Sequence, residues 1–387
     1  SPRDERRDRK DPPFPGMTVG PPRETIWHLS IDDDSKPLPT TEDGQWDAIL
    51  DARSPGEYAE DHVPGSISTP VLGNSERAEV GTRYKMDRFS ARRIGAALIS
   101  ESIAKILRGE AIAGLRNSSK ILVICWRGGE RSHSLATILA RVGFKTGVLK
   151  GGYKGYRQRV RRFIAKLEHL NYVVISGPTG SGKTVFLKSL KRKGAQVIDL
   201  EGLANHKGSI LGDSLTSKQP TQKHFEGSLA AVVEKLDVNK PVFIEDEGSR
   251  VGCVHLPIEL WRKKKISPRC RLKVPIQQRV KITRQDYTYF EDKKNLDALC
   301  ERLKGLKKKV GAESVERYLQ TAREGKWNEL VQDLLETHYD KAYSKSAERN
   351  TDEKEGGETV MEVNLECEED YDRQAEAVIK RFSNTAT

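Results

Sequence analysis

The chain has 387 residues, with 67 Lys and Arg against 56 Asp and Glu, a net charge of +11, and 36 % of its residues are hydrophobic. This length predicts two or three domains, and no apolar run approaches the roughly 20 residues that span a bilayer, which excludes an integral membrane protein. The charged N-terminal residues do not resemble a secretory signal, and the five Cys contain no CxxC pair. We therefore expect a cytoplasmic protein, or an organellar one if a leader preceded Ser1, without a disulfide framework or zinc site.

The charge is distributed unevenly along the chain. Residues 351–387 hold eleven acidic and four basic residues, a net of −7, so the rest of the chain carries +18. A body that basic suits a polyanion such as nucleic acid, although ordinary solubility charge explains it equally well. The charged, Pro- and Gly-rich residues 1–22 predict a disordered extension, and residues 346–387 predict an acidic flexible tail.

Two folded regions lie between these ends, a first domain predicted at 23–160 and a second at 161–345. In the first, apolar runs and helical spacing predict strands at 46–51, 120–125 and 143–149 and helices at 87–108, 132–142 and 153–166. In the second, the same signals predict strands at 172–176, 196–200, 241–245 and 271–274, a polar loop at 201–212, helices at 185–191 and 221–236, and mostly helix at 292–343. Strands that alternate with helices predict α/β domains with largely parallel sheets.

The second region opens with a phosphate-binding pattern. Gly177-Pro-Thr-Gly-Ser-Gly-Lys-Thr184 matches GxxxxGK[ST] between a predicted strand and a predicted helix, so backbone N–H groups and a helix N-terminus would face a phosphate. A tight glycine turn that matches by chance is the alternative. The acids after strand 241–245 would bind Mg²⁺ or activate water, or simply end a solvated strand. The predicted phosphate-binding residues are Gly177, Thr179, Gly180, Ser181, Gly182, Lys183, Thr184, Glu245 and Asp246, with Thr184 and Asp246 as ligands if Mg²⁺ is bound.

The first region contains one cysteine in a reactive context. Cys125 ends a predicted strand and is followed by a Gly-Gly turn, Arg127, Arg131 and a predicted helix. Consecutive N–H groups, the helix N-terminus and the two Arg side chains favour a thiolate and could hold an anion. The predicted catalytic residues are Cys125, Arg127 and Arg131. A buried structural cysteine is the alternative, and we assign that role to the other four Cys.

The residues at 51–58 and 61–67, together with the Cys125 loop, resemble a rhodanese domain, a family in which the Cys carries sulfur as a persulfide. The resemblance leaves His62 with a structural role. The spacing C-x5-R is one residue longer than in most sulfurtransferases and matches the dual-specificity phosphatases of the cell cycle. Ile124 stands where those phosphatases usually have His, which counts against phosphatase activity.

A rhodanese domain followed by a P-loop domain resembles the tRNA 2-selenouridine synthases over about residues 45–345. The matching stretches are 76–85, Cys125–His133, 151–153, 177–184, Asp199–Ser209, 245–247, His255–Pro257 and Tyr339–Tyr343. One departure is Gly248, which stands where Ser is usual after the Glu-Asp-Glu motif. The acidic C-terminal segment also lies outside the family core.

The resemblance implies a transferase that converts wobble 2-thiouridine of tRNA to 2-selenouridine, with selenophosphate and geranyl diphosphate as substrates and no tightly bound cofactor. The P-loop would grip the diphosphate, and the Cys125 loop would handle selenium. Candidate tRNA contacts are Arg262, Lys263, Lys264, Lys265, Arg269 and Arg271, with Trp261, Tyr287 and Tyr289 near them for stacking. Alternatives are a sulfurtransferase or phosphatase with an ATP-binding regulatory domain, and a non-catalytic RNA-binding module. The oligomeric state stays open.

Overall fold

The computed structural model describes residues 26–32, 38–41, 44–208, 218–344 and 357–383. The chain divides into two compact units. The first unit comprises the described residues within 1–30, 39–55 and 65–153, and the second those within 31–38, 56–64 and 154–387. The division therefore follows Tyr153 rather than residue 160, and two earlier segments belong to the second unit. The extension predicted at 1–22 lies outside the described residues.

A five-stranded parallel sheet forms the centre of the first unit, in the order β1-β5-β4-β2-β3. The strands are β1 (Trp27–Leu29), β2 (Ala48–Asp51), β3 (Ile67–Ser68), β4 (Lys120–Ile124) and β5 (Lys145–Leu149). The helices are α1 (Pro55–Glu60), α2 (Asn74–Met86), α3 (Arg88–Arg108), α4 (Glu110–Ala113), α5 (Glu130–Val142) and α6 (Gly152–Lys166), of which α1 and α6 belong mostly to the second unit. The predicted parallel sheet is confirmed.

The core of the first unit explains why the Cys125 loop is held firmly. Leu50 of β2, Val123 of β4 and Leu135 and Leu139 of α5 are fully buried in one cluster. Strand β4 thus has apolar side chains buried on both faces, as a central parallel strand requires. The loop after β4 is fixed at both ends, by a central strand and by a helix that packs on the same sheet.

The second unit contains another five-stranded parallel sheet, in the order β12-β11-β6-β8-β7. Its strands are β6 (Asn171–Ser176), β7 (Gln196–Ile198), β8 (Pro241–Glu245), β11 (Arg269–Lys273) and β12 (Thr359–Asn364), and β9 (Arg250–Val251) pairs antiparallel with β10 (Val254–His255). Its helices are α7 (Lys183–Arg192), α8 (Leu200–Ala204), α9 (Gln222–Val233), α10 (Ile258–Ile266), α11 (Ile276–Asp286), α12 (Leu296–Lys304), α13 (Lys307–Val310), α14 (Ala312–Arg323), α15 (Trp327–Leu334) and α16 (Glu369–Ser383).

The prediction of a flexible acidic tail is wrong for residues 357–383. Strand β12 pairs in parallel with β11 along its length, and α16 packs against α7. The residues Tyr371, Ala375, Val378 and Phe382 of α16 are buried and lie on one face at helical spacing. The acidic composition of the segment hid this apolar stripe, because Glu369, Asp372 and Glu376 are exposed on the same helix.

The predicted polar loop at 201–212 is also partly wrong. Leu200–Ala204 form the short helix α8, which begins because the Asp199 carboxylate accepts a hydrogen bond from the Gly202 N–H at 2.7 Å. Residues 209–217 lie outside the described part of the chain. The helical prediction for 292–343 is confirmed by α12 to α15, which share an apolar core with the 288–291 turn.

His62 lies in a segment that belongs to the second unit, and its contacts fit the structural role predicted for it. Its ring stacks on Tyr58 at 3.9 Å between centroids, and its Nδ1 lies 2.9 Å from the Tyr58 carbonyl oxygen. The neighbouring Asp61 is buried and pairs with Arg157 at 3.5 Å. In the described ranges, none of the helices is both long and apolar enough to cross a membrane.

Candidate functional site

The Cys125 loop places a thiol at the N-terminus of α5. Cys125 is buried, and its Sγ accepts a hydrogen bond from the Gly129 N–H at 3.2 Å. The Ser132 hydroxyl lies 3.1 Å from the same sulfur. The Ser132 hydroxyl also donates to the Gly129 carbonyl oxygen at 3.0 Å, so the Gly129 N–H and the N-terminus of α5 are the positive groups that face Sγ. The structure thus places a backbone N–H and a helix N-terminus at Sγ, and the thiolate itself stays a prediction.

The loop turns sharply because Gly128 has a φ of +70°, a conformation that side-chain-bearing residues rarely adopt. A Cβ at Gly128 would also lie 2.6 Å from the Leu149 carbonyl oxygen. Arg127 is exposed at the rim of the loop, and Arg131 is half-buried in the first turn of α5. The structure thus brings the three predicted catalytic residues into one strand-loop-helix segment.

Further contacts fix the floor of this site. Arg53 forms a buried ion pair with Asp51 at 2.6 Å and stacks over the Tyr153 ring at 3.8 Å. The Tyr153 N–H donates to the Cys125 carbonyl oxygen at 2.8 Å. These groups were noted in the sequence as parts of a family pattern, without a role. Their contacts show that they hold the backbone of Cys125 in place.

The P-loop lies between β6 and α7, as predicted. Gly180 and Gly182 have φ values of +79° and +68°, so the motif needs glycine there. Lys183 begins α7, and its Nζ lies 3.4 Å from the Gly177 carbonyl oxygen, across the loop. Ser181 is fully buried. This arrangement of a loop, a lysine and a helix N-terminus is typical of a site for two linked phosphates.

A group of carboxylates faces the P-loop. The Thr184 hydroxyl lies 3.0 Å from Glu201 Oε2 and 3.1 Å from Glu245 Oε1. Burial, then the neighbouring Glu247, raises the pKa of Glu201 to about 7. Burial and the proximity of Glu201 raise the pKa of Glu245 well above its usual value. Glu201 is therefore partly protonated near neutral pH unless a cation joins the group.

The oxygen atoms of Thr184, Glu201 and Glu245 are of the kind that Mg²⁺ prefers as ligands. A bound Mg²⁺ would also offset the negative charge of the two neighbouring carboxylates. In the described residues, this site included, no group of three or more His, Cys, Asp and Glu side chains is arranged to hold a metal ion, so a bound Mg²⁺ would also need oxygen atoms of Thr184 and of the ligand. The prediction had paired Thr184 with Asp246 instead. Asp246 is engaged differently, since its carboxylate pairs with Arg269 at 2.6 Å.

Lys264 was predicted to contact tRNA, and this prediction is wrong. Its side chain is only 1 % exposed, and its Nζ donates to the carbonyl oxygens of Glu245 and Glu247 and lies 3.6 Å from Asp246. Burial lowers the pKa of Lys264. Although burial alone would raise the pKa of Asp246, Lys264 and Arg269 lower it. Lys264 therefore fixes the acidic end of β8 instead of binding a partner.

The remaining tRNA candidates keep some exposure. Arg262 of α10 and Arg271 of β11 are exposed, whereas Lys263 and Lys265 are half-buried. Tyr287 and Tyr289, predicted to stack on bases, are half-buried in an aromatic cluster with Phe290 instead, so packing explains them.

Two residues that sequence reasoning missed hold the P-loop from outside. The Arg279 guanidinium donates to the Thr179 carbonyl oxygen at 3.0 and 2.8 Å and pairs with Asp340 at 2.6 Å. The Tyr371 hydroxyl donates to the Ser181 carbonyl oxygen at 2.9 Å. Asp340 had a signal, since it lies in a stretch that matched the family pattern. No sequence signal identified Arg279 or Tyr371, because the residues that they contact lie 100 and 190 positions away in the chain.

Comparison with known proteins identifies the two domains that contain these loops. Residues 170–367 match the family model described as the tRNA 2-selenouridine synthase AAA domain, and residues 39–159 match the rhodanese-like domain. A tRNA 2-selenouridine synthase from Sulfurovum sp. is 32 % identical over 329 residues, which cover 78 % of this chain and 89 % of that protein. The chain belongs to the tRNA 2-selenouridine synthase family.

Further relatives in this family match over a shorter part of their sequences. The tRNA 2-selenouridine synthase of Nitrosomonas europaea is 33 % identical over 244 residues, 62 % of this chain and 63 % of the relative. The one from Cronobacter sakazakii is 35 % identical over 247 residues, 62 % of this chain and 64 % of the relative. The chain thus aligns with somewhat less than two thirds of the length of these two synthases. Membership of an enzyme family of this type confirms the predicted order of a rhodanese-like domain and a P-loop domain.

Proposed function

We propose that this protein converts wobble 2-thiouridine of tRNA to 2-selenouridine with selenophosphate, through a geranylated 2-thiouridine. The observation that carries the proposal is the presence of two different anion-binding loops in one chain of the synthase family. One loop holds a thiol, Cys125, hydrogen-bonded to a backbone N–H. The other holds Lys183 and the acids around Thr184. Two chemically different donors need two such loops.

The P-loop serves the geranyl step. The sulfur of 2-thiouridine attacks C1 of geranyl diphosphate, the C–O bond breaks, diphosphate leaves and the base loses its N3 proton. Backbone N–H groups at 180–184 and the Lys183 ammonium stabilise the departing diphosphate. A bound Mg²⁺ would add positive charge there, and Thr184 and Glu245 are the residues that would hold it. A P-loop recognises diphosphate geometry and does not by itself require a nucleotide.

The Cys125 loop serves the selenium step. The selenium of selenophosphate attacks C2 of the base, geranylthiol leaves with a proton, and water then cleaves the P–Se bond to release phosphate. Arg127, Arg131 and the N–H groups of the loop hold the phosphate group of selenophosphate. Cys125 lies at the base of this loop, where its sulfur, as the thiolate predicted from the sequence, can take a proton from the water that cleaves the P–Se bond.

The exposed basic residues beside the second site are proposed to contact the tRNA backbone. Arg262 and Arg271 are the exposed candidates, and Lys263 and Lys265 are half-buried beside them. Each lost phosphate contact should reduce the slope of log affinity against log salt by about 1. An Arg262→Ala variant should therefore bind tRNA more weakly with a shallower salt slope, and an unchanged slope would remove Arg262 from the interface.

Mass spectrometry of nucleosides tests the whole proposal. The protein is incubated with 2-thiouridine tRNA and either geranyl diphosphate, selenophosphate or both. We expect geranylated 2-thiouridine with the first alone and 2-selenouridine only when both are present. Unchanged nucleosides under all three conditions would contradict the proposal and favour a non-catalytic RNA-binding module. Sulfur transfer to an acceptor thiol without tRNA would favour the sulfurtransferase alternative, which the Cys125 loop alone could support.

A further inference from the structure

A pocket in the second unit opens beside the P-loop and has no role in the steps described so far. It lies between α11, the 288–291 turn, α12 and α15, and encloses about 570 Å³ that protein atoms do not fill, part of it open to solvent. We infer that this pocket binds the hydrocarbon chain of a prenyl diphosphate whose diphosphate group lies in the P-loop. The inference rests on the proposed function, because it assumes that the P-loop holds a diphosphate.

Continuity with the P-loop is the first argument. Thr179, the third residue of the phosphate-binding motif, is itself part of the pocket wall. Its carbonyl oxygen is fixed by the Arg279 guanidinium, and a Cβ at Gly180 would lie 2.5 Å from the Thr283 hydroxyl oxygen. Because Thr283 also lines the pocket, the loop and the pocket share a wall. A ligand whose diphosphate lies in the loop can therefore extend into the pocket.

The chemistry of the wall is the second argument. Leu299, Leu330 and Leu334 supply buried aliphatic surface, and Phe290 and Trp327 supply aromatic surface. A purine base has polar edges, and burying them without hydrogen-bond partners is costly, whereas an alkyl chain has no such groups. The wall therefore suits a hydrocarbon better than the base of a nucleotide.

The charged groups on the wall strengthen that argument. Arg284 and Glu291 are paired with each other through two hydrogen bonds of 2.9 Å, so their charges compensate locally.

Val331 is the residue at which to test the pocket, since it lines the wall from α15 and is only half-buried. A Val331→Trp variant would fill the space without touching the P-loop. Gln332→Trp is the matched control, because Gln332 is exposed on the same helix outside this pocket. The probes are geranyl diphosphate, the five-carbon dimethylallyl diphosphate and inorganic diphosphate, with dissociation constants from calorimetry.

Each buried methylene strengthens binding by roughly fourfold. In the unaltered protein we therefore expect geranyl diphosphate to bind at least about 100-fold more tightly than dimethylallyl diphosphate. Val331→Trp should reduce that preference to about tenfold or less and leave inorganic diphosphate within about twofold of its original affinity. Gln332→Trp should change none of the three affinities.

The outcomes separate this inference from the proposed function. If inorganic diphosphate binds and Lys183→Ala abolishes its binding, but chain length has no effect on affinity in the unaltered protein, only the prenyl pocket is wrong. If diphosphate binding does not depend on Lys183, the assignment of the P-loop fails as well. The chain-length series on the unaltered protein decides the question even if Val331→Trp does not fold.

Discussion

The Cys125 loop and the P-loop are built on the same plan but differ in the charges that surround them. Each follows a buried parallel strand and leads into a helix N-terminus, β4 to α5 in one and β6 to α7 in the other. The Cys125 sulfur is contacted by a backbone N–H and a hydroxyl. Thr184 of the P-loop contacts the half-buried carboxylate of Glu201 and the buried carboxylate of Glu245.

This difference in the surrounding groups shows how the same strand-loop-helix arrangement can bind two kinds of anion. Backbone N–H groups and Arg side chains suffice for a singly substituted phosphate group, and the thiol adds a group that can exchange a proton. A diphosphate leaving group develops more charge, so the P-loop combines Lys183 with acids that can recruit a cation. We therefore expect the two loops to separate cleanly in function.

The largest expected effect is a division of the two half-reactions between the loops. Lys183→Ala removes the only lysine of the motif, so geranylation should fall by about 100-fold or more, because the charge on the leaving diphosphate loses its partner. Cys125→Ser should leave geranylation within about twofold and reduce selenation by about 100-fold or more. Both rates are read by nucleoside mass spectrometry on pre-geranylated and unmodified 2-thiouridine tRNA.

Pre-geranylated tRNA is the control for that experiment, because it bypasses the P-loop step. Lys183→Ala should form 2-selenouridine from it at a normal rate. Should Cys125→Ser convert it equally well, the role of the thiol in selenation would be disproved. Full geranylation by Lys183→Ala would disprove the P-loop assignment in the same way.

A smaller effect is expected from Glu201 and Glu245, the acids that contact Thr184 of the P-loop. The contacts described for the Cys125 loop include no such pair of acids. The pKa of Glu201 is raised from 4.5 to about 7, so between these values the folded state keeps a proton that the unfolded state has lost. The free energy of unfolding therefore falls as pH rises through this window, by about 1 to 3 kcal/mol. Glu201→Gln lacks this loss and should gain stability relative to the unaltered protein between about pH 5 and pH 8.

Urea unfolding at both pH values measures the effect, in Mg²⁺-free buffer. Glu130→Gln is the control, because it removes an exposed acid from the start of α5, beside the other loop. A Glu201→Gln variant whose stability relative to the unaltered protein is the same at both pH values would show that the acid is not held protonated. Lys183 would then be the remaining charged group by which the P-loop differs from the Cys125 loop.

The sequence predicted the backbone of both loops, because strand, glycine turn and helix are local patterns. It did not predict which acid faces Thr184. Asp246 and Glu245 are adjacent in sequence, but consecutive residues at a strand end point to opposite sides, and only the fold shows that Asp246 faces Arg269. Lys264 was misassigned for a related reason, since a run of basic residues does not reveal which one lies on the buried face of α10.

The C-terminal segment shows a second limit of sequence reasoning. Its composition is that of a solvated tail, yet its apolar residues recur at helical spacing and pack on α7. Composition averages over both faces of a helix, whereas packing depends on one face. The packing of this helix also affects the P-loop, because Tyr371 on the packed face donates a hydrogen bond to the Ser181 carbonyl oxygen.

The smallest expected effect tests that contact and asks whether the P-loop, unlike the Cys125 loop, depends on a support from the end of the chain. Tyr371→Phe keeps the ring against Gly182 and Phe186 but removes the hydrogen bond to the Ser181 carbonyl oxygen. A buried hydrogen bond contributes about 1 kcal/mol, so urea unfolding should show a loss of that size. Affinity for inorganic diphosphate should fall a few-fold, because the N–H groups next to Ser181 lose their fixed orientation. Tyr84→Phe, at an exposed tyrosine of the first unit, should change neither quantity. Equal stability and equal diphosphate affinity for Tyr371→Phe and the unaltered protein would mean that packing alone positions the loop, and that the C-terminal helix stabilises the fold without supporting the site.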